Sequence, residues 1–555
     1  MSEATERTRW WGWGGEDGRP RLGPQGAALV RRALDLPDAP PPAPPRLEDV
    51  VLPESALPAE ALERLGPGLG GPAGLATDRR ARVAHAAGKS YPDLVRLRSG
   101  DAGTAPDAVL RPRSAEEVAA ALRVCAELGV AVVPFGGGTS VVGGVTPARE
   151  GFAGVVSLDL AALSGVTSVD RRSRTARVGP GTLGVRAEAE LLAHGYTLGH
   201  FPQSLELATV GGFVATRSAG QASTGYGRIE ERVLGLSFAA PAGPLEVRTT
   251  PASAAGPSLR ELLVGSEGTL GVITGVTLAV APVPELRRYE GWSFPSFAAG
   301  LEALRALVQS GAAPDIARLA DEEETRLSMG LSASGSLADR AGRRYLELRG
   351  HGDGALAILG WEGPTREVGR RRSRAHAVLR AAGGMTLGGG PGRSWARSRY
   401  AAPYLRDELM DMGVLVDTLE TATTWSSLPG LHAAVAQAIR ATLGARGTPP
   451  LVGCHVSHLY PAGASLYFTL LARAEAGDEL EQWRAAKRAA GEAIVAHGGT
   501  ITHHHAVGAD HRPWMTAEVG PLGVEALRAL KGRLDPNGVM NPGKLLPEPA
   551  GAGPA

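Results

Sequence analysis

The stretch from Val132 to Gly144 reads VVPFGGGTSVVGG and decides the fold of this chain. A short apolar run, typical of a strand, breaks into three glycines, then Thr139, Ser140 and, after two valines, two more glycines. Glycines lack Cβ, so their backbone N–H groups can come close to an anionic oxygen, and the two hydroxyls add donors. The glycine-to-lysine spacing of a P-loop is absent, and these glycines do not open a helix as those of a Rossmann turn do. We therefore predict a loop that binds a pyrophosphate.

Two later segments have the same mixture of small, hydroxyl and glycine residues. The first is Phe201–Gly227, FPQSLELATVGGFVATRSAGQASTGYG, where Arg217 adds a guanidinium donor for an anion. The second is Gly265–Thr274, GSEGTLGVIT, whose glycines precede a β-branched run. Each segment alone is compatible with a tight turn. Three such loops, each next to a strand-like segment, predict one long ligand bound between strand ends.

The order and spacing of PFGGGTS, VGGFVATRSAG and GSEGTLGVIT, with the terminal segment DPNGVMNPGKLLP, resemble the vanillyl-alcohol-oxidase-type (PCMH-type) FAD-binding flavoproteins. The resemblance extends over residues 100–547 and implies FAD as the cofactor. It implies an α+β fold with a PCMH-type FAD-binding domain, an α+β cap domain for the substrate and an N-terminal extension. The residues that it places against FAD are Pro134, Phe135, Gly136, Gly137, Gly138, Thr139, Ser140, Pro202, Gln203, Ser204, Thr209, Gly212, Ala215, Thr216, Arg217, Ser218, Gly265, Ser266, Glu267, Gly268, Thr269, Leu270 and Gly271.

The length of 555 residues exceeds the size at which a single core stops growing, so we expect more than one domain. The expected segments are an N-terminal extension (1–103), the FAD-binding domain (104–284), the cap (285–520) and a C-terminal segment that returns to the FAD-binding domain (521–555). Periodicity predicts helices over Ser114–Leu128, with Ser114 as the N-cap, and over Leu183–His194. Strands are predicted over Val130–Pro134, Gly154–Leu158, Thr175–Val178, Leu234–Ala239 and Val272–Val280.

The composition argues against several functional classes. A formal net charge of +1, with both signs interspersed, gives no electrostatic case for nucleic acid. No apolar run reaches the roughly 18 residues that a spanning helix needs, and the N-terminus has no signal-peptide pattern, so we expect a cytoplasmic protein. Cys125 and Cys454 lack the spacing of zinc ligands, which argues against a disulfide framework or a zinc site. The abundance of Ala, Gly, Pro and Arg, with few lysines, indicates bacterial coding bias.

The first hundred residues hold a tryptophan cluster and a proline-rich stretch. Trp10, Trp11 and Trp13 would be costly to leave in water, so we expect them to dock on the body of the protein. The stretch Asp38–Pro45 is expected to be a stiff linker or a strap on the surface.

Ile501–Met515, ITHHHAVGADHRPWM, carries the groups suited to chemistry in the expected cap. His503, His504 and His505 are adjacent. On a strand, the outer two would face one side and the middle one the other, so at most two would reach one cavity. A metal site competes with this interpretation, but no cysteine or acidic partner has a matching spacing, so we expect no metal. Proton transfer and anion binding are the expected roles.

Further segments narrow the resemblance within this group of flavoproteins. The histidine triplet, YLRD at Tyr404–Asp407, DTLETATTW at Asp417–Trp425 and AGASLYF at Ala462–Phe468 resemble the alkyldihydroxyacetonephosphate synthase family, as does the N-terminal GWG. Hydroxy-acid dehydrogenases of the group show EHGIG where this chain has HHHAVG. One departure is Ala506, which stands where the family has glycine after the triplet.

The resemblance implies an exchange of the acyl group of acyl-dihydroxyacetone phosphate for a long-chain alcohol, through a covalent adduct at the flavin N5. In that reaction Arg406 would bind the substrate phosphate, and Arg318 would lie near the flavin. Tyr467 would be the general acid/base, and the triplet His503–His505 would assist proton movement. The expected partners are a lipid-phosphate or hydroxy-acid substrate, a second copy in a homodimer and, by peripheral contact, a membrane.

Two alternatives stay open at the level of the sequence. The same scaffold suits an FAD-dependent oxidoreductase that acts on a 2-hydroxy acid or an alcohol. A chain that binds FAD only structurally would have no turnover of its own. In that case Tyr467, Arg406 and the histidine triplet would be replaceable without consequence.

Overall fold

The computed structural model describes residues 9–15, 20–69, 74–331 and 337–548. Within these ranges, no helix is both long and apolar enough to cross a membrane. The strands are β1 (Leu75–Ala76), β2 (Ala108–Leu110), β3 (Val130–Phe135), β4 (Gly154–Asp159), β5 (Val166–Asp170), β6 (Thr175–Val178), β7 (Tyr196–Thr197), β8 (Val233–Ala240), β9 (Gly243–Val247), β10 (Val272–Ala279), β11 (Ala281–Pro282), β12 (Leu286–Phe294), β13 (Ile316–Ala320), β14 (Ala355–Gly363), β15 (Met385–Gly388), β16 (Val414–Thr424), β17 (Leu451–Tyr460) and β18 (Gly463–Arg473). The helices are α1 (Pro24–Ala33), α2 (Ala59–Gly68), α3 (Arg79–Ala84), α4 (Tyr91–Arg98), α5 (Ala115–Leu128), α6 (Gly184–Ala193), α7 (Val210–Ala215), α8 (Ser223–Tyr226), α9 (Ile229–Arg232), α10 (Leu259–Leu263), α11 (Phe297–Gln309), α12 (Glu322–Leu331), α13 (Leu337–Leu348), α14 (Thr365–Ala381), α15 (Gly389–Ser398), α16 (Ala402–Asp411), α17 (Leu428–Ala445), α18 (Glu479–Ala496) and α19 (Met515–Leu534).

Two sheets form the part of the molecule that carries the glycine loops. In the first sheet, of order β1-β2-β4-β3, both β2 and β3 run parallel to β4, and β1 is antiparallel to β2. The second sheet is antiparallel and has the order β5-β6-β10-β8-β9. Helix α5 packs against strands of both sheets and buries Val118, Leu122 and Cys125. The loop after β3 therefore emerges where the two sheets meet.

The sequence predicted these elements closely. Helix α5 begins after Ser114, whose Oγ accepts a hydrogen bond from the backbone N–H of Glu117 at 3.2 Å. It ends at Gly129, whose φ of 63° is the left-handed conformation that glycine allows. Strand β6 has the predicted bounds. The other predicted strands differ from the structure by one residue, at both ends for β8 and at one end for the rest. The alternation of apolar residues in the strands and the capping residue of the helix were enough to predict these elements, because both signals come from neighbouring residues.

A single antiparallel sheet of seven strands, in the order β15-β12-β14-β13-β17-β18-β16, dominates the second half of the chain. Its helix-covered side buries large aromatic residues such as Trp292, Trp361 and Phe468. In the register of the sheet, Tyr467 on β18 pairs with Glu420 on β16 and with His455 on β17. Directly paired residues place their side chains on the same face, so the sheet assembles one polar row.

Both ends of the chain pack back onto the molecule. Asp407 accepts hydrogen bonds from the Arg9 guanidinium at 2.7 Å and from Trp13 N at 2.5 Å. Trp13 is buried, which confirms that the tryptophan cluster docks on the body of the protein. The proline-rich stretch lies mostly exposed, without helix or strand. Near the other end, Val132 N donates to Val539 O at 2.8 Å, so the C-terminal segment lies beside β3.

Candidate active site

The three glycine loops lie against one another. Gly265 N donates to Val214 O at 3.0 Å, which joins the third loop to the second. A Cβ on Gly137 would lie 1.7 Å from the carbonyl oxygen of Leu207, so only glycine allows the first loop to approach the second this closely. The structure thus brings together the three segments that the sequence predicted to share one ligand.

The first loop, Gly136–Ser140, presents backbone donors that have no acceptor. Within the described part of the chain, none of its backbone N–H groups donates a hydrogen bond, and the Thr139 hydroxyl has no partner. Gly138 has a φ of 64°, a conformation in which successive N–H groups can converge on an anion. Unpaired donors beside two more glycine loops fit a pyrophosphate held between them, which is the central part of FAD.

Two residues predicted to contact FAD also have protein partners. The Arg217 guanidinium donates to Val264 O at 3.0 Å and to Glu261 O at 2.8 Å. The Ser218 hydroxyl lies 2.7 Å from Nε2 of His200. The Arg217 guanidinium therefore braces the second loop against α10 and the residue before the third loop, and its contact with an anion stays a prediction.

Glu267 connects the third glycine loop to the histidine segment and to the C-terminal segment. Its buried carboxylate accepts hydrogen bonds from Val507 N at 2.8 Å and Gly508 N at 2.7 Å. Its backbone carbonyl, with that of Gly144, accepts from the side-chain amide of Asn541 at 2.7 and 3.0 Å. Burial raises the pKa of Glu267 to about 7, against the effect of the two N–H donors.

The histidine triplet is wrapped around the carboxylate of Glu420. The backbone N–H groups of His503, His504 and His505 all donate to this carboxylate, at 3.0 Å for His504 and 2.7 Å for His505. The Thr502 hydroxyl donates to it at 2.6 Å. Although burial opposes ionisation, the facing imidazoles and the Thr502 hydroxyl hold the pKa of Glu420 well below its usual range. A buried anion therefore organises the segment.

This wrapping corrects the expectation that at most two of the imidazoles share a cavity. The segment is not a strand, because three consecutive N–H groups turn toward one acceptor and the side chains do not alternate. The ring of Tyr467 lies 6.0 Å from that of His504 and 5.4 Å from that of His505. The Tyr460 hydroxyl lies 2.6 Å from Nε2 of His503. All three imidazoles belong to one cluster with two phenols.

Burial determines the protonation of this cluster. It lowers the pKa of His505 to about 3, and the charges of Lys487 and Arg406 act in the same direction. Burial also lowers the pKa values of His503 and His504 and raises that of Tyr467 to about 12. At neutral pH the site therefore offers uncharged imidazoles as proton acceptors beside a protonated phenol.

Arg318 reaches this cluster through two other side chains. Its guanidinium lies 2.5 Å from the carboxylate of Glu324, whose other oxygen lies 2.9 Å from Nδ1 of His455. The His455 ring stacks on Tyr467 with 4.8 Å between ring centres. Burial opposes ionisation of Glu324, but His455 and Arg318 lower its pKa to about 2. The charged pair therefore positions the imidazole against the phenol.

Arg406 is the group in this region whose hydrogen-bonding capacity is least used. Its Nε and Nη2 atoms are buried and have no hydrogen-bond partner within the described residues. Lys89 and Lys487 are buried too. Burial lowers the pKa of Lys89 to about 8, and the charge of Arg406 adds to the effect. The Lys89 ammonium makes only long contacts, of 3.4 Å, to the carbonyl oxygens of Arg9 and Trp10. The region therefore combines an unsatisfied guanidinium with buried ammonium groups, which is a donor set suited to an anion.

The lysines carried a signal that sequence reasoning missed. The chain contains four lysines among 58 Lys and Arg residues. Three of the four are buried, and the fourth donates to Thr269 O at 2.8 Å, in the third glycine loop. A compact ammonium fits in confined places where a planar guanidinium does not, so the few lysines of an arginine-rich chain point to such places. The four are Lys89, Lys487, Lys531 and Lys544.

Comparisons with known proteins define the class. Residues 106–247 match the model of the FAD binding domain family, and residues 283–545 match that of the FAD linked oxidases, C-terminal domain. A solved structure of 4-ethylphenol oxidase from Gulosibacter chungangensis shares the fold, with a TM-score of 0.68, 17% identity and coverage of 90% of this chain and 99% of that one. The chain is therefore an FAD-dependent enzyme with a PCMH-type FAD-binding domain and an α+β C-terminal half.

Relatives of higher identity define the family. The alkyldihydroxyacetonephosphate synthase of Dictyostelium discoideum is 36% identical over 481 residues, which cover 85% of this chain and 78% of the relative. A solved alkyldihydroxyacetonephosphate synthase structure is 30% identical, with a TM-score of 0.82 and coverage of 97% of this chain and 99% of that one. The uncharacterized FAD-linked oxidoreductase YgcU of Escherichia coli (strain K12) is 30% identical over 450 residues, 80% of this chain and 89% of YgcU. This chain belongs to the alkyldihydroxyacetonephosphate synthase family, as the sequence motifs predicted.

We predict that Gly137→Ala lowers the FAD content of the purified protein. The new Cβ would meet Leu207 O at 1.7 Å, so the first loop must move away from the second and the donor nest opens. The measurement is the ratio of flavin absorbance to protein absorbance. Gly369→Ala is the matched control, because Gly369 is exposed on α14 and a Cβ there meets nothing within 4 Å. Equal flavin content in the two variants would contradict the assignment.

We predict that Glu420→Gln lowers the free energy of unfolding by about 1–3 kcal/mol at neutral pH, because an amide NH₂ then faces buried N–H donors. The folded-state pKa of Glu420 is lowered. The stabilisation by the carboxylate is therefore complete above the ordinary glutamate value of about 4.3 and is lost as the pH falls through the folded-state value. Denaturant unfolding of the FAD-loaded proteins across this pH range measures the difference, which should narrow in acid.

Glu492→Gln is the control for this experiment. Glu492 is exposed on α18, so its amide variant should unfold like the original chain at every pH. A loss of the same size in both variants would show that Glu420 does not hold the histidine segment.

Proposed function

We propose that this enzyme exchanges the acyl group of an acyl-dihydroxyacetone phosphate for a long-chain alcohol, releasing a fatty acid and forming an ether bond. The observation that carries the proposal is the buried guanidinium of Arg406, whose Nε and Nη2 have no hydrogen-bond partner among the described residues, near the buried Lys89 and Lys487. A dianionic phosphate ester would satisfy these donors. The names of the related synthases point to the same substrate class.

The anion site and the proton-transfer cluster are neighbours. The charges of Arg406 and Lys487 both act on the pKa of His505, whose ring contacts Tyr467 at 5.4 Å between centres. A substrate held by its phosphate at Arg406 would therefore place its carbon skeleton beside the imidazoles and the phenol. Such positioning converts an encounter into a reaction between fixed partners.

The chain's own residues hold the phosphate and move protons. An uncharged imidazole of the triplet takes a proton from the carbon next to the substrate carbonyl, and the Tyr467 hydroxyl is placed to return one to a departing oxygen. FAD, when bound, supplies the electron-accepting ring that makes the exchange at this carbon feasible. The segment Arg9–Trp13 is anchored on Asp407, the residue next to Arg406 in the chain.

Lipid substrates require access to a membrane surface. Helix α13 presents Tyr345 and Leu348 to solvent, 53% and 70% exposed, with Arg343 and Arg344 beside them. Apolar and basic groups on one exposed helix suit peripheral contact with anionic lipid. The cytoplasmic location and the homodimer expected from the sequence are part of this proposal.

The test is anaerobic addition of palmitoyl-dihydroxyacetone phosphate and hexadecanol to the FAD-loaded protein, with products identified by mass spectrometry. We expect hexadecyl-dihydroxyacetone phosphate and palmitate in equal amounts, with no electron acceptor present. If a 2-hydroxy acid or an alcohol reduces the flavin and an acceptor is needed to reoxidise it, the enzyme is an oxidoreductase, as its relative YgcU is named. No turnover in either assay would indicate that the chain binds FAD only structurally.

Two tyrosine variants give this assay its control. Tyr467→Phe removes only the hydroxyl and should lower the rate about 10²–10⁴-fold, the usual contribution of a general acid/base. Tyr196→Phe removes a hydroxyl that bonds to Arg171 O at the surface and should leave the rate unchanged.

We predict that Arg406→Lys raises the KM for the phosphate-bearing substrate roughly ten- to hundredfold, with a smaller change in kcat, because charge-assisted hydrogen bonds worth about 1.5–3 kcal/mol are lost. Steady-state kinetics separate the two parameters. Arg397→Lys is the control, since Arg397 is exposed on α15. A fall in kcat at constant KM would place Arg406 outside the substrate-binding site.

A further inference from the structure

Three imidazoles of the cluster converge from two parts of the chain. His458 lies on β17, and His503 and His504 belong to the segment wrapped around Glu420. One ring nitrogen from each lies within 4.8 Å of one from each of the others. The rings are 4.9–5.2 Å apart between centres. We propose that these three nitrogens form a binding site for a divalent transition-metal ion such as zinc.

Neighbouring side chains orient two of the rings for this role. The Ser223 hydroxyl lies 2.5 Å from Nδ1 of His458, and the Tyr460 hydroxyl lies 2.6 Å from Nε2 of His503. A ring whose one nitrogen is occupied by a hydroxyl presents the other nitrogen to the cluster. Histidine ligands of metals are usually held in this way by a partner on the second nitrogen.

A third contact in the cluster joins the Nδ1 atoms of two neighbouring imidazoles. Nδ1 of His503 and Nδ1 of His504 are 3.0 Å apart, so one must carry a proton for the pair to attract. Two nitrogens bound to the same tetrahedral zinc ion, with bonds of about 2.0–2.1 Å, would be only slightly farther apart. An ion can replace that proton with a small movement of the rings.

The charges next to the cluster partly balance. The carboxylate of Glu420 lies 3.5 Å from Nδ1 of His504. The guanidinium of Arg228 opposes it from the side, where it donates to His503 O at 2.8 Å and pairs with Glu230 at 2.7 Å.

The donor set selects the class of ion. Three imidazoles without a carboxylate ligand suit zinc, copper, nickel or cobalt, and they do not suit magnesium or calcium. A fourth position would stay open to water. An ion here would occupy the lone pairs that the proposed proton transfer uses, so the site would act as a point of inhibition.

The experiment is a titration of the chelator-treated, FAD-loaded protein with Zn²⁺ in competition with a chromophoric chelator at neutral pH. We expect one ion per chain and no competition by Mg²⁺. His458→Gln should weaken the affinity at least tenfold, while His497→Gln, which removes an exposed histidine at the end of α18, should match the original protein. Equal affinity in all three proteins, or no binding, would overturn the proposal.

A second measurement does not depend on a variant that folds. X-ray absorption of the zinc-loaded original protein should show three imidazole nitrogens at about 2.0–2.1 Å. A zinc shell dominated by oxygen or sulfur would assign the binding to other groups.

Discussion

The carboxylate of Glu420 is the interaction on which the site depends. It accepts hydrogen bonds from three consecutive backbone N–H groups of a segment that is neither helix nor strand. Without the carboxylate, those N–H groups would be buried donors without an acceptor, and the imidazoles would lose their common direction. The pairing of β16 with β18 places Glu420 next to Tyr467. The register of these two strands therefore fixes the positions of both the carboxylate acceptor and the phenol.

Two further side chains tie the histidine segment to the flavin loops. Glu267, from the third glycine loop, accepts from Val507 N and Gly508 N just after the triplet. Arg228 donates to Arg217 O at 2.9 Å and to His503 O at 2.8 Å, so one guanidinium spans both halves of the molecule. The histidine segment is thereby held against the glycine loops by hydrogen bonds between buried or half-buried side chains and the backbone.

The sequence was most informative where the physical signal is local. The glycine loop Gly136–Ser140 and the capped helix α5 follow from neighbouring residues. The structure confirms the helix and its cap, and among the described residues it leaves the N–H groups of the loop without acceptors. The arrangement of the triplet could not be predicted from its neighbours, because its acceptor, Glu420, lies 83 residues away from His503. Nothing local tells a glutamate on a strand which N–H groups it will accept from. The partners of the Arg217 guanidinium, Glu261 and Val264, were missed for the same reason, since they lie 44 and 47 residues away along the chain.

The binding cradle for the cofactor is assembled from both ends of the chain. The Asn541 amide that holds Gly144 O is 397 residues from its acceptor, and β3 is flanked by the C-terminal segment through Val132 and Val539. During synthesis on the ribosome, the glycine loops therefore emerge long before the segment that closes them. The nascent chain has to keep those loops soluble without their final support, and firm retention of the cofactor becomes a late event in maturation.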